Sequence, residues 1–471
     1  MQSAPVLRRR ADQAVREGRY SEAVRYYRAE AAIYRRNGDP NGARVEEMKA
    51  SRWDSSVRLY ARLPSTPGSA RALAPHEPAA GCLLGAFIDR DESLGTPFQD
   101  ENFQTHQDPA AWESATGKAH ASLFCYVNYG RPFPSRWVAR LRAAGVAPHI
   151  AWEPNAGLDS VADDAYLRGF ARACAAARCP IFLRFASEMN GDWTRYGGNG
   201  NADNYIRTWR LVRRVFKDMA PNVAMLWCVN ATPQPNIPRF YPGPDQVDWV
   251  GVNFYSVPFH DNDPTRSALH ENPADELAHI VGLYGKRHPI AIGEYGVSHR
   301  AAVDGVERAE WAAAKIHSLY AALPRLWPEV KMIDVFDMDN LRHAQPGRQL
   351  NNYRITDNGI VLGAYRDAIR DPWFLGRVGE RPPGEAQVPV GKSPLRVPLG
   401  ALELSTWSRC WSERHTVRYT VGGSTLVPER DHGGRTIVVR FRQPGSVPVR
   451  ADVIDARGRV AATTAHRLVV A

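Results

Sequence analysis

Apolar residues recur with three different rhythms along this chain. In residues 6–62 the spacing is helical: Ala14, Gly18, Tyr20, Ala23, Val24 and Tyr27 suit two packed antiparallel helices, and a further helix follows the Asn37-Gly-Asp-Pro-Asn-Gly break. Between residues 81 and 375, short unbroken apolar runs alternate with helical stretches such as Asp203–Asp218 and Val306–Leu323. The runs are Leu83–Phe87, Ser122–Val127, Ala147–Trp152, Ile181–Phe185, Ala224–Val229, Trp249–Phe254, Ile290–Gly293 and Lys331–Phe336. Continuous apolar strands separated by helices predict a parallel sheet buried on both faces. Eight such units predict closure into a barrel. From residue 395 the rhythm shortens to alternation. Thr416–Thr420, Thr436–Phe441, Val447–Asp455 and Arg459–Thr464, parted by turns at Val421-Gly-Gly-Ser and His432-Gly-Gly, predict a small antiparallel sandwich.

Two Pro/Gly-rich stretches, 63–80 and 376–394, punctuate these rhythms and read as linkers. The expected chain is therefore multidomain: a helical segment over 1–62, a central (β/α)8 TIM barrel over 81–375, and an all-β, sandwich-like domain over 395–471. The run Glu17-Gly-Arg-Tyr-Ser-Glu-Ala-Val-Arg-Tyr-Tyr resembles one tetratricopeptide-type hairpin, with Gly18 at the turn. A solenoid needs about three such repeats. One, or one and a half, predicts a helical cap docked on its neighbour.

Composition changes this picture little, with 44% hydrophobic and 23% charged residues, ordinary for a globular protein. No apolar run approaches the ~18–20 residues that cross a bilayer. The net charge of +10 hints at nucleic acid until it is divided along the chain. Residues 1–75 and residues 377–471 each hold 15 Lys/Arg against 8 Asp/Glu, whereas the residues between hold 30 against 34. The basic character thus belongs to the flanks, which predicts no nucleic-acid partner but leaves room for contact with a cell envelope or a glycan. The six cysteines make no CxxC and no zinc spacing, so buried free thiols are expected, with Cys174 and Cys179 the one conceivable pair. The first residues show no charged leader followed by an apolar stretch, so no signal peptide is expected in this chain.

Barrel active sites form at the C-terminal ends of the strands. The fourth strand is followed by Arg184-Phe-Ala-Ser-Glu188-Met-Asn190-Gly-Asp-Trp193, and the seventh carries Ile292-Gly-Glu294-Tyr-Gly. A buried, unpaired carboxylate is costly. Two of them facing one cavity predict acid–base or nucleophilic work, such as a retaining glycosidase needs from a carboxyl pair about 5–5.5 Å apart. Trp152, Trp193, Tyr196, Phe254 and Tyr295 lie at or just after strand ends, where aromatic faces stack on sugar rings, whereas Trp209, Trp227 and Trp249 read as core. Arg184 and Asn190 are candidates for sugar-hydroxyl contacts or for support of the carboxylates. Asp334, Asp337 and Asp339 form an acidic cluster, read as solvated rim rather than a Ca²⁺ site. No GxGxxG, P-loop, HExxH or GxSxG occurs. Neither a cofactor nor a metal is expected.

Residues 81–375 resemble family 26 glycoside hydrolases, retaining (β/α)8 enzymes with catalytic glutamates after strands 4 and 7. The resemblance rests on Gly145-Val-Ala-Pro-His-Ile-Ala-Trp-Glu-Pro154, on Pro180 to Trp193, on Tyr241 to Tyr255, and on Pro289-Ile-Ala-Ile-Gly-Glu-Tyr-Gly296. It implies Glu188 as acid/base, Glu294 as nucleophile and Tyr255 as the residue orienting Glu294. Three departures stand near the reacting-sugar subsite: Ser187 where the family usually has His, Asn253 where it often has Asp, and no Trp at the end of strand 8. The catalytic pair carries over; the sugar specificity does not follow. Trp152, Arg184, Asn190, Trp193, Tyr196, Asn253 and Tyr295 are the expected substrate-binding set.

The resulting expectation is a retaining endo-β-glycan hydrolase acting on a polysaccharide, foremost an endo-β-1,4-mannanase, with β-1,3-xylanase and mixed-linkage glucanase as alternatives on the same barrel. A catalytically silent glycan-binding scaffold is the alternative of another class. A polymeric substrate suits a secreted or periplasmic protein.

Overall fold

The computed structural model describes residues 3–54, 56–65, 71–198, 200–381, 383–409, 415–428 and 435–471. All eight apolar runs form strands: β1 (Cys82–Phe87), β2 (Ser122–Asn128), β3 (Ala147–Glu153), β4 (Ile181–Phe185), β5 (Val223–Asn230), β6 (Trp249–Ser256), β7 (Ile290–Val297) and β8 (Val330–Phe336). Each pairs in parallel with the next, and β8 closes on β1 from Met332↔Leu83 to Phe336↔Phe87. The result is a (β/α)8 barrel. Side chains alternate along a strand, so one set fills the barrel and the other meets the helices around it. Leu83, Phe182, Leu226, Trp249 and Met332 pack together inside, towards the N-terminal ends of the strands. Above them the interior turns polar. His149 Nδ1 lies 2.8 Å from Asp334 Oδ2, and Gly85 gives Asp334 its room, since a Cβ there would stand 1.6 Å from Oδ1. The mouth of the barrel begins at this layer.

Three helices precede the barrel: α1 (Ala4–Arg16), α2 (Tyr20–Arg36) and α3 (Pro40–Asp54). The helix expected to reach residue 62 stops at Asp54, and Val57–Pro64 is a strand. Val57, Leu59 and Ala61 alternate with Arg58, Tyr60 and Arg62, a period of two that suits a strand with both faces used. This strand lies between Glu385–Val390 and Gly400–Ser408 in a four-stranded antiparallel sheet. The segment 376–394, expected to be linker throughout, thus contains an edge strand. A second sheet runs in the order Leu395–Val397, Val460–Val470, Gly445–Ile454, Thr416–Val421, Ser424–Leu426. Its apolar face (Val417, Tyr419, Val449, Ala451, Val453) packs with Leu59, Leu402 and Leu404 of the first sheet and with Ala11, Tyr20 and Val24 of the helices. The two ends of the chain therefore share one core. Where the chain leaves and re-enters this body, Ser65 N–H donates to Gly384 O at 2.9 Å.

Cys82, Cys125, Cys174, Cys179 and Cys228 are free thiols, so Cys174 and Cys179 are not bridged. Cys410 and the His432-Gly-Gly turn lie outside the described residues. Among the described residues no helix is long and apolar enough to cross a membrane.

Candidate active site

After β4 the backbone turns sharply, with Ala186 at φ 48° and Glu188 at φ 59°. Left-handed backbone at non-glycine residues is strained and persists only where its surroundings over-determine it. Here the Glu188 N–H donates to Cys228 O of β5 at 2.9 Å. The turn aims the Glu188 carboxyl into the mouth. Its Oε1 accepts from Asn253 Nδ2 at 2.9 Å and Asn230 Nδ2 at 3.2 Å, and its Oε2 accepts from Trp193 Nε1 at 2.8 Å. Burial, and next the charge of Glu294, raise this carboxyl above its ordinary range, while the three donated bonds oppose the rise.

Glu294 reaches the same mouth through a bulge in β7, where Ile292 pairs with Val252 and Glu294 with Asn253. The bulged residue is Gly293. A Cβ there would come within 2.8 Å of Asn253 Oδ1 and 2.9 Å of Arg184 Nη1, so a glycine keeps this polar layer open. Glu294 meets donors on both oxygens. Tyr126 O–H (2.6 Å) and Arg184 Nη2 (2.7 Å) donate to Oε1, and Tyr255 O–H donates to Oε2. Arg184 is fully buried and also donates to Gly293 O at 3.0 Å and Asn253 Oδ1 at 3.3 Å, with its guanidinium 5.0 Å from the Phe124 ring centre. Asn253 thus links the two carboxyl groups, giving its amide N–H to Glu188 and its oxygen to the arginine that holds Glu294.

The expected substrate-binding set separates by burial. Trp193 is 41% exposed beside Glu188, its ring lying over Gly191, where a Cβ would stand 2.2 Å from the indole. Trp152 and Tyr295 are fully buried and do not reach the mouth. They occupy the outward phase of β3 and β7, one residue away from the inward Glu153 and Glu294. Trp152 stacks on Phe170 at 4.2 Å, and the Tyr295 hydroxyl pairs with Ser256 Oγ at 3.1 Å. Arg184, Asn190 and Asn253 are likewise fully buried, and Tyr196 nearly so. Arg184 and Asn253 brace the carboxyl groups. Asn190 braces the β4 loop, donating to Asn230 O and accepting from Asn230 N–H, both at 2.9 Å. Tyr196 donates to Glu153.

Three residues at the site escaped the sequence reading: Tyr126, Asn230 and Glu153. Tyr126 and Glu153 belong to the inward phase of their strands near the C-terminal end, so strand parity carried the signal. Asp334, Asp337 and Asp339 do not form one cluster: Asp334 pairs with His149, Asp337 accepts from Ile355 N–H at 2.7 Å, and Asp339 caps the short helix Asn340–His343. Among the described residues no group of three or more His, Cys, Asp or Glu is arranged to hold a metal.

Known proteins resemble parts of this chain. Residues 155–321 match the model of Glycosyl hydrolase family 26. A beta-1,3-xylanase, TXYA, from a Vibrio species is 28% identical over 80 residues, 16% of this chain and 17% of its own. A beta-1,3-xylanase from an Alcaligenes species is 26% identical over 80 residues, with the same shares. The chain thus spans less than a fifth of the length of the curated relatives it matches. Among solved structures, a modular endo-beta-1,4-mannanase from Cellulomonas fimi superposes with a TM-score of 0.44 at 15% identity, over 85% of this chain and 100% of that one. The catalytic domain of a family 26 endo-beta-1,4-mannanase from Bacillus sp. JAMB-750 gives 0.47 at 14% identity, over 66% and 96%. The stretch that matches this family model, residues 155–321, lies within the central barrel.

Proposed function

We propose that this chain is a retaining endo-β-glycan hydrolase in which Glu188 is the acid/base and Glu294 the nucleophile. One observation carries the reading: two glutamates, Glu294 buried and Glu188 half-buried, share a mouth but meet different charges. Glu294 is surrounded by donors, one of them a buried guanidinium, which suits an acceptor-only carboxylate aimed at an anomeric carbon. Glu188 is desolvated beside that charge and keeps its proton to higher pH. In the first step Glu294 attacks the anomeric carbon, the glycosidic C–O bond breaks, and Glu188 gives its proton to the leaving oxygen. A glycosyl-enzyme ester remains. In the second step Glu188 takes a proton from water, the water oxygen bonds to the anomeric carbon, and the ester to Glu294 breaks. Tyr255 and Tyr126 orient the nucleophile, and Trp193 offers the exposed aromatic face beside the acid.

β-1,4-Mannan is the first substrate of this proposal, by the family resemblance. β-1,3-Xylan is the second, favoured by the two curated relatives, and mixed-linkage glucan the third. A polymer of this kind is met outside the cytoplasm, which is where the proposal places the protein.

A reducing-sugar assay across these glycans, with product analysis, tests the substrate. Glu188→Ala should lower polymer hydrolysis by about 10²–10⁴-fold yet spare aryl glycosides with activated leaving groups, because only proton delivery is lost. Azide should rescue its second step. Glu294→Ala should be inactive on both kinds of substrate, since no ester can form. Equal losses in both variants on every substrate, or a carboxyl separation beyond about 8 Å, would contradict the retaining assignment. A wild-type protein that binds these glycans but cleaves none would point to a silent scaffold.

A further inference from the structure

Glu153 is a buried carboxyl at the mouth to which double displacement assigns no task. It is 7% exposed at the end of β3 and meets donors only. Ser187 Oγ–H donates to Oε1, while Ser187 N–H (3.2 Å) and the Tyr196 hydroxyl donate to Oε2. Both partners belong to the loop that carries Glu188. Ser187 immediately precedes it, and Tyr196 lies at the loop's far end, where Gly198 N–H closes onto Met189 O at 3.0 Å. One carboxyl on β3 thereby grips both ends of the loop, while Asn253 and Asn230 hold the Glu188 head from the other side. The strained turn at Ala186 and Glu188 needs such over-determination, and three of its restraints come from Glu153.

The groups facing Glu153 are Arg184 from β4, Glu188 and Tyr196 from the loop, and Tyr205 from the helix Ala202–Met219. Burial pushes the Glu153 carboxyl up to about 7, and its bonds from Ser187 and Tyr196 oppose the rise.

We propose that Glu153 is a positioning residue for the acid/base: through Ser187 and Tyr196 it fixes the left-handed turn and so sets where the Glu188 proton is delivered. This role rests on the retaining-hydrolase reading. Glu153 touches no reacting atom. Its removal should act on proton delivery, not on attack by Glu294.

The test compares wild type with Glu153→Gln, Ser187→Ala and Tyr196→Phe on a β-glycan polymer and on a dinitrophenyl β-glycoside, whose leaving group departs without a proton. Glu153→Gln places an amide donor against existing donors. It should lower kcat on the polymer by about 10–100-fold, with little change on the aryl glycoside or in KM, because misplacement of a catalytic group costs about this much. Ser187→Ala and Tyr196→Phe each remove one bond and should show the same split at smaller amplitude. Amide hydrogen exchange across residues 186–198 should quicken in Glu153→Gln. Equal loss on both substrates, or wild-type kinetics with unchanged exchange, would overturn the role. If Glu153→Gln does not fold, the two single-bond variants decide, and absence of the split in both overturns it. A wild-type protein without turnover on any β-glycan would end the hydrolase reading and this role with it. An active wild type matched by Glu153→Gln ends this role alone.

Discussion

A single amide decides how the two carboxyl groups at the mouth feel each other. Arg184 can only donate, and Cys228 Sγ–H also points at Asn253 Oδ1 from 3.0 Å, so the Asn253 nitrogen must face Glu188. An aspartate here would withdraw a bond that favours the ionised acid and add a like charge beside it. Both changes raise the Glu188 pKa. In the proposed role of acid, Glu188 must be protonated in the first step, so a higher pKa would extend activity upward in pH. Asn253→Asp should therefore move the alkaline limb of kcat/KM up by about one pH unit, measured on an activated and a natural substrate from pH 4 to 10. An unmoved or lowered limb would contradict the bridge. That Glu188, Glu294 and Tyr255 would meet at the mouth was legible in the sequence because each stands in the C-terminal half of a strand, or just after one, within a recognisable run. Trp152 and Tyr295 were misread because a one-residue change of phase turns a side chain from the mouth to the helices. The bulge at Gly293, which sets that phase in β7, has no local signature beyond the glycine itself.

Among the elements around the mouth, the short hairpin of Phe98–Gln99 and Thr105–His106 is held by ionisable groups rather than by apolar packing alone. His106 is fully buried, with Nδ1 2.9 Å from Asp89 Oδ2, Nε2 3.3 Å from Asp100 Oδ2, and its ring stacked on Trp137 at 5.4 Å. Asp100 Oδ1 in turn accepts Asn102 N–H (2.7 Å) and Gln104 N–H (2.9 Å), fixing the hairpin tip. Burial lowers the imidazole pKa, but Asp89 and Asp100 outweigh it and the net shift is upward. A pKa raised on folding contributes stability that is complete below the unfolded value near 6.5 and fades as pH climbs through the folded value. His106→Gln should thus cost about 3–5 kcal/mol near pH 6, where it strands two buried carboxyl groups. The gap in Tm should narrow as pH rises through the raised pKa, and a gap constant from pH 5 to 9 would refute the ionic hold. The eight barrel strands were legible because unbroken apolar runs advertise a strand buried on both faces. Val57–Pro64 was not, because the strands beside it stand more than three hundred residues later in the chain.

On the scale of the whole molecule, that one strand changes what the flanks are. They are not two attachments but one helix-and-sandwich body, with the barrel inserted between residues 65 and 384. Each flank carries 15 Lys/Arg against 8 Asp/Glu, so their positive charge gathers on a single body beside a mildly acidic barrel. The two bodies meet along the helix Ala309–Leu326. Trp407 Nε1 donates to Ser318 O at 3.1 Å, Tyr60 and Trp407 pack on Ala274 and Ala322, and Arg62 spans Asp371 and Glu403 at 2.8 Å each. The insertion predicts what can be cut. Pro64 pairs with Glu385 in antiparallel register, so a short Asn-Gly turn in place of residues 66–383 should close Val57–Pro64 and Glu385–Val390 into a hairpin. The excised body keeps its own core and should unfold cooperatively, read by circular dichroism and urea titration. The newly bare Tyr60 and Trp407 face will lower its stability. Deleting residues 1–64 from the full chain should do the opposite, since Glu385–Val390 and Gly400–Ser408 lose the strand between them and Leu402, Leu404 and Val390 lose their cover. That chain should aggregate or lose the sandwich's cooperative transition. A well-folded sandwich without residues 1–64, or an unfolded excised body, would show that the two ends do not share a core.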